Sequence, residues 1–314
     1  MEIDSNTRLL GLFGNPARHS VSPILQNHLI NHYNLNFTYL SFEPDPRKIK
    51  DAFESARNLG FLGLNITMPF KEESINYMQK TSVTASIIGA VNTVKFTGED
   101  RNAYGYSTDG NGVIKALEDK KFTWNKKNCL VLGAGGAARS AVFSMLKKPV
   151  SRIFIYDIVE ERASMLLENF KLNIKRFLTD KDNNEGDDQE IKYSAVEKKI
   201  SILSDLDQVE DKLDSIELII NCTPVGMDIE GFKDLKPVPD NWMLENKYIF
   251  DMVYKPVETE FLKKARKDGA AEIINGIDML VSQGVYSFKI WFDIMPENRI
   301  IDEAKDKIKK HLSK

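Results

Sequence analysis

The residues best suited to chemistry lie between Asn128 and Ala138, reading Asn-Cys-Leu-Val-Leu-Gly-Ala-Gly-Gly-Ala-Ala. Strand-like Cys129 to Leu132 run into Gly133-x-Gly135-x-x-Ala138, and a small-residue helix pattern follows from Ala137 to Lys148. In such a loop the first glycine permits a tight turn and the second lets the backbone approach a pyrophosphate. Ala138 allows close packing of helix on strand, and the helix N-terminus offers free N–H groups to an anion. Arg152 to Tyr156 reads as a second strand and ends on Asp157, close to the offset at which an acid meets a cofactor ribose. Strand, glycine turn, helix, strand and acid, in that order, predict a dinucleotide site.

Other polar residues admit two readings each. Ser22 and Pro23 open a helix that runs to about Asn34, with Ser22 as N-cap. Ser20 and Ser22 together also make a neutral cradle for a small carboxylate at a helix N-terminus. Asn65 and Thr67 are same-face residues of a strand, and would point jointly at a ligand if that face lined a cleft. Asp109 reads as a cap for a helix from Val113 to Glu118. Cys129 and Cys222 read as small buried hydrophobes, with no histidine near either in sequence. His28 and His32 share a predicted helix face but lack the H-E-x-x-H pattern and further ligands, so they read as solvated and no metal site is predicted.

The elements that must hold these residues follow from hydrophobic pattern. Strands are predicted at Arg8 to Phe13, Phe37 to Glu43 and Gly89 to Val94, with a helix from Pro46 to Leu59, a strand, a proline stop and a lysine within Gly60 to Lys71, and a turn at Gly105 to Gly110. After a connection from Asp119 to Lys127, strands are predicted at Asn128 to Leu132, Arg152 to Asp157, Ile174 to Leu178, Leu218 to Asn221, Tyr248 to Met252 and Glu272 to Ile274. Helices alternate with them, as at Glu258 to Lys267, which predicts a parallel, doubly wound sheet. Ile277 to Asp293 carries an apolar stripe at helical spacing, and Asp302 to Leu312 is a charged final helix. The acidic stretch Thr179 to Glu190 reads as a solvated insertion.

A net charge of −3 without a basic block argues against nucleic acid as a partner. No apolar run approaches the roughly 20 residues of a membrane span, and Met1-Glu2-Ile3-Asp4 lacks the pattern of a signal peptide, so a cytoplasmic location is expected. The oligomeric state is open, a homodimer included.

Several motifs in series carry a family resemblance: Ser20-Val21-Ser22-Pro23, Asn65-Ile66-Thr67-Met68-Pro69-Phe70-Lys71-Glu72, Gly89-Ala90-Val91-Asn92-Thr93, Ser107-Thr108-Asp109-Gly110, Gly133-Ala134-Gly135-Gly136-Ala137 and Met279-Leu280-Val281-Ser282-Gln283. From about residue 8 to 296 the chain resembles the shikimate dehydrogenase family, including its quinate/shikimate dehydrogenase branch. The resemblance implies a two-domain α/β enzyme with a deep cleft, moving hydride between nicotinamide and the C3 hydroxyl of shikimate. It implies a substrate domain of residues 1–110 plus 277–314 and a Rossmann-like, doubly wound dinucleotide domain of residues 111–276. By motif, Lys71 and Asp109 are implied as the catalytic pair. Ser20 and Ser22 are implied for the substrate carboxylate, and Asn65, Thr67, Asn92, Tyr254 and Gln283 for the ring hydroxyls. Gly133, Ala134, Gly135, Gly136, Ala137, Asp157, Met252 and Gly276 are implied for the cofactor. Oxidation of quinate, a dedicated quinate or aminoshikimate dehydrogenase, and a non-catalytic ligand-binding relative are the alternatives.

Three departures bear on specificity. Asp157-Ile158-Val159 replaces the family's usual basic patch, where an arginine pairs with the 2′-phosphate of NADP. An aspartate there accepts hydrogen bonds from the free ribose hydroxyl and repels a phosphate, so NAD is predicted over NADP, softened by Arg139 and Arg162 nearby in sequence. Ser107 stands where many members carry asparagine, and Asp278 where a glycine is common.

Overall fold

The computed structural model describes residues 3–179 and 193–313 and divides into two compact units. One comprises the chain up to Gly112 together with Leu280–Leu312, and the other is Val113–Met279.

The first unit is built on β1 (Arg8–Phe13), β2 (Phe37–Phe42), β3 (Gly63–Ile66), β4 (Lys80–Thr81), β5 (Thr93–Thr97) and β6 (Asn102–Tyr106). Their order is β2-β1-β3-β5-β6-β4. β1 pairs parallel with β2 and β3, whereas β5 runs antiparallel to both β3 and β6, so the sheet is mixed. Its helices are α1 (Ser22–His32), α2 (Ile49–Asn58), α3 (Val83–Ile88) and the start of α4 (Asp109–Asp119). α2 buries Ile49, Phe53 and Ala56, spaced to fall on one helical face. Those residues join Phe13, Phe61, Leu64 and Val94 in the core.

The second unit contains β7 (Asn128–Leu132), α5 (Gly136–Leu146), β8 (Arg152–Tyr156), α6 (Glu160–Thr179), α7 (Tyr193–Lys199), β9 (Ile200–Leu203), α8 (Leu206–Glu210), β10 (Leu218–Asn221), β11 (Tyr248–Asp251), α9 (Glu260–Asp268) and β12 (Glu272–Ile274). Its strands pair in the order β12-β11-β10-β7-β8-β9, all parallel. This is the predicted doubly wound α/β sheet. β7 and β10 are buried along almost their whole length, as a strand covered on both faces must be. Two helices complete the chain, α10 (Gly276–Phe292) and α11 (Asn298–Leu312).

Several local expectations are corrected. Ile174 to Leu178 is not a strand but the end of α6; Ala163, Leu166, Phe170 and Ile174 form a buried helical stripe that a short window cuts through. The strand beside β8 is β9 instead. β6 was not anticipated, because Gly105 reads as a turn. In fact a Cβ there would come within 2.7 Å of Met78 Cγ, and the glycine serves close packing. The acidic stretch, apart from Thr179 as the last residue of α6, lies outside the described residues.

Candidate active site

β3 carries Asn65 on its last turn of pleat, and Thr67 follows it. The Thr67 N–H donates to Phe13 O at 2.9 Å, which continues the β1–β3 register one residue beyond the strand. Lys71 is fixed through its carbonyl, which accepts from Val91 N at 2.9 Å. Asp109 is the first residue of α4, buried to 4% exposure, rather than a cap ahead of a later helix. The two side chains meet, with Lys71 Nζ donating to Asp109 Oδ2 at 2.7 Å.

Asn92, just ahead of β5, holds the other carboxylate oxygen. Its Nδ2 donates to Asp109 Oδ1 at 2.7 Å, to Thr108 Oγ1 at 2.9 Å and to Gln283 Oε1 at 3.3 Å. Its own Oδ1 accepts from Thr108 N at 2.9 Å. Lys71, Asn92, Asp109 and Gln283 are therefore one hydrogen-bonded cluster at the C-terminal edge of the sheet. A lysine amine and a carboxyl group in contact, the carboxyl anchored from its far side, form an arrangement with the chemistry to pass a proton and to stabilise developing negative charge.

Asn65 is brought into a second layer behind them. Its Nδ2 donates to Asn92 O, Thr93 Oγ1 and Ser287 Oγ, while its Oδ1 accepts from Tyr39 OH at 2.9 Å. Tyr39 is fully buried, and burial raises its pKa well above the ordinary 10, which keeps the phenol a donor. Tyr39, Thr93, Thr108 and Ser287 escaped the sequence reading. Ser287 lies one helical turn beyond Gln283, and that spacing is the signal that could have found it.

Ser20 and Ser22 are adjacent, the Ser20 hydroxyl donating to Ser22 Oγ at 3.1 Å and accepting from Ser22 N at 3.2 Å. Ser22 is not the N-cap of α1. Val21 takes that place and Ser22 is already helical, since Ser20 supplies the turn hydrogen bond. Glu43 accepts from Ala17 N at 2.7 Å and Arg18 N at 2.9 Å, which fixes the loop leading to Ser20. Those hydrogen bonds hold the Glu43 carboxyl below its usual range.

In the second unit, Gly133 adopts φ 98°, the left-handed region that favours glycine, and a Cβ there would lie 2.9 Å from Thr223 Cγ2. Gly135 and Gly136 open α5, and Cβ atoms added to either would meet open space. That space over a helix N-terminus is where a diphosphate fits, so the loop suits a dinucleotide. Ala134 and Ala137 flank it.

Asp157 accepts from Ala134 N through Oδ2 and from Val159 N through Oδ1, both at 2.9 Å. It ties the glycine loop to the end of β8, and each oxygen retains a lone pair for a hydroxyl. Met252 and Tyr254 follow β11. Gly276 packs so closely that a Cβ would fall 2.2 Å from Met252 O. Burial raises the Tyr254 phenol pKa above 10.

The remaining candidates are structural. Burial pushes both Cys129 and Cys222 thiols upward, away from nucleophilic use. His28 is not solvated as expected. α11 reaches that face, with Lys307 Nζ 2.8 Å from His28 Nδ1, and burial lowers the imidazole pKa. His32 is exposed. Among the described residues there is no metal-ligating cluster and no helix long and apolar enough to cross a membrane.

A Rossmann-type unit, in one chain with an α/β unit bearing a lysine–aspartate pair among amide and hydroxyl side chains, defines the class of dinucleotide-binding oxidoreductases. Comparison with known proteins narrows it. The model of the shikimate dehydrogenase substrate binding domain matches residues 12–94, and that of the shikimate 5'-dehydrogenase C-terminal domain matches residues 276–304. A protein of Methanococcus vannielii named shikimate dehydrogenase (NADP(+)) is 37% identical over 96% of this chain and 97% of its own. A crystal structure of a shikimate dehydrogenase in complex with NADP+ has 34% identity and a TM-score of 0.81, covering 98% of this chain and 97% of that one. A Listeria monocytogenes shikimate 5-dehydrogenase in complex with shikimate and NAD has 28% identity and a TM-score of 0.81, covering 98% of each chain. The chain belongs to the shikimate dehydrogenase family.

Proposed function

We propose that this protein catalyses the reversible oxidation of shikimate to 3-dehydroshikimate, with a nicotinamide dinucleotide as hydride carrier and NAD preferred. The observation that carries the reading is the 2.7 Å contact of Lys71 with Asp109, whose second oxygen is held by Asn92. Oxidation removes hydride from C3 and a proton from the C3 hydroxyl. A bound nicotinamide dinucleotide would supply the hydride acceptor. The Lys71–Asp109 pair takes up the proton and returns it to the ketone oxygen in the reverse direction.

Ser20 and Ser22 bind the substrate carboxylate. Thr67, Asn92 and Gln283, with Asn65 behind them, read the ring hydroxyls, a role that the family resemblance also gives to Tyr254. Such a site discriminates strongly, because an analogue lacking a hydroxyl leaves buried polar groups unpaired. Gly133, Ala134, Gly135, Gly136 and Ala137 would cradle the diphosphate, and Met252 and Gly276 would hold the nicotinamide end.

The NAD preference rests on Asp157-Ile158-Val159, where no arginine is present and Ile158 is 86% exposed. A 2′-phosphate about 4 Å from the Asp157 carboxylate meets roughly 4 kcal/mol of repulsion per unit charge at an effective dielectric of 20, before relaxation. The methanococcal relative carries NADP(+) in its name, and the Listeria structure holds NAD. Initial rates for shikimate and quinate, each with NAD and NADP, test the proposal. Faster shikimate oxidation with NAD supports it; a clear NADP preference removes the cofactor argument, and a faster rate with quinate reassigns the substrate.

A further inference from the structure

Two polar strand ends in the second unit have no part in the reading above. Asn221 ends β10 and Asp251 ends β11, directly paired in register, and neither is exposed to solvent. The C-terminal ends of parallel strands are where such sheets bind ligands, yet these two side chains point at each other and at backbone. Asn221 Nδ2 donates to Asp251 Oδ1 at 2.9 Å. The same Asp251 oxygen accepts from Val253 N at 3.0 Å, and Asp251 Oδ2 accepts from Thr259 Oγ1 at 2.6 Å. Thr259, 1% exposed, is the N-cap of α9.

The bracket reaches two loops. On one side Asn221 Oδ1 accepts from both the N–H and the hydroxyl of Thr223, at 3.0 and 2.6 Å, and the Thr223 methyl stands against Gly133. On the other, Asp251 fixes Val253, whose carbonyl accepts from Gly276 N at 3.1 Å, while Met252 N donates to Asn221 O at 3.0 Å. Between Asp251 and Thr259 run the seven residues 252–258, of which the bracket fixes Met252 and Val253 directly, with Tyr254 next in the chain.

A buried carboxylate costs free energy that a neutral residue would not, and here it accepts from one backbone N–H and two side-chain donors around the segment that begins at Met252. We infer that Asp251 is a positioning residue for hydride transfer: with Asn221 and Thr259 it holds Met252 and Tyr254 in the geometry that cofactor and substrate require. The inference rests on the assignment of Met252 to the nicotinamide end and Tyr254 to the substrate.

The test compares Asp251→Ala, Asp251→Asn and Thr259→Val in the full chain, with shikimate and NAD as probes. The amide of Asp251→Asn can accept from Asn221 and Val253 and donate to the Thr259 hydroxyl, so it rebuilds the bracket without charge. Asp251→Ala should lower kcat/KM for shikimate about a hundredfold, the penalty for misplacing a site by about 1 Å. Thr259→Val, which removes one donor, should fall between, and Asp251→Asn should recover to within about threefold of wild type, as a bracket with its hydrogen bonds kept requires. Hydrogen exchange over residues 248–262 should accelerate in Asp251→Ala and not in Asp251→Asn. Faster exchange with unchanged kcat and KM overturns the inference, since the bracket would then be merely structural. Equal impairment of the Asn and Ala variants overturns it as well, by assigning the effect to charge. Failure of the underlying assignment looks different: Tyr254→Phe and Met252→Ala would leave kcat and KM unchanged while Asp251 is intact, and the inference falls by that route.

Discussion

The buried Asp251 carboxylate makes stability depend on pH in a way that one substitution isolates. Burial raises its pKa from the ordinary 3.8 to about 6, against the opposing effect of hydrogen bonds from Thr259, Val253 and Asn221. The native state therefore holds this proton more tightly than the unfolded chain does. Stability from this group is fully present below pH 4 and is lost as pH rises through about 6. At about 1.4 kcal/mol per tenfold change in proton affinity, the displacement amounts to about 3 kcal/mol. Asp251→Asn carries no charge at any pH and keeps the hydrogen-bond geometry. Its stability relative to wild type should thus rise by about 3 kcal/mol between pH 3 and pH 7, most of it before pH 6. The assay is the difference in thermal midpoint between the two proteins, measured at half-unit intervals over that range, which cancels titrations common to both. The gap should widen in favour of the variant by several degrees, at about 2–4 °C per kcal/mol for a unit of this size. A gap that stays constant from pH 3 to pH 7 would refute the reasoning, because the proton affinity of Asp251 would then be the same folded and unfolded.

Three further predictions concern packing and reactivity. A Cβ at Gly14 would lie 2.2 Å from Thr67 Cγ2, so Gly14→Ala should displace Thr67 and raise the KM for shikimate more than it lowers kcat; steady-state kinetics read the split, and an unchanged KM counts against the role of Thr67. Gly276→Ala forces its methyl against Met252 O and should cost about 1–3 kcal/mol of stability while weakening cofactor binding, as followed by calorimetric titration with NAD. Cys129 and Cys222, both with thiols pushed up by burial, should resist a disulfide reagent at pH 8 in the native protein and react promptly in urea; rapid labelling of the native protein would contradict their buried state.

The parts of the fold that were legible in the sequence are those whose signal is local. The strands Asn128–Leu132 and Leu218–Asn221 coincide with their predicted limits, because fully buried parallel strands are short apolar runs bounded by polar residues. α6 misled because a five-residue window at Ile174 to Leu178 sees an apolar cluster where the full helix shows a stripe of period 3.6. β6 was hidden by Gly105, whose small size answers Met78 and Val91 from elsewhere in the chain, a contact no local pattern encodes.

For the candidate site, motif order assembled Lys71, Asn92, Asp109 and Gln283, which the structure joins through hydrogen bonds. The layer behind it, Tyr39, Thr93, Thr108 and Ser287, comes from positions far apart in the chain: Thr93 and Thr108 adjoin Asn92 and Asp109, Ser287 follows Gln283 by one helical turn, and Tyr39 is marked only by its polarity in an apolar core. Asp157 illustrates a different limit. Its position suggested a ribose reader, and its backbone hydrogen bonds to Ala134 and Val159 add a structural duty that spacing alone does not reveal.

The central claim is that Lys71, paired with Asp109, moves the proton that accompanies hydride transfer. The most direct measurement is kcat for shikimate oxidation by Lys71→Ala beside wild type, under saturating cofactor. The account predicts a fall of about a hundred- to ten-thousandfold with a modest change in the KM for shikimate. Turnover close to wild type in the variant would contradict it.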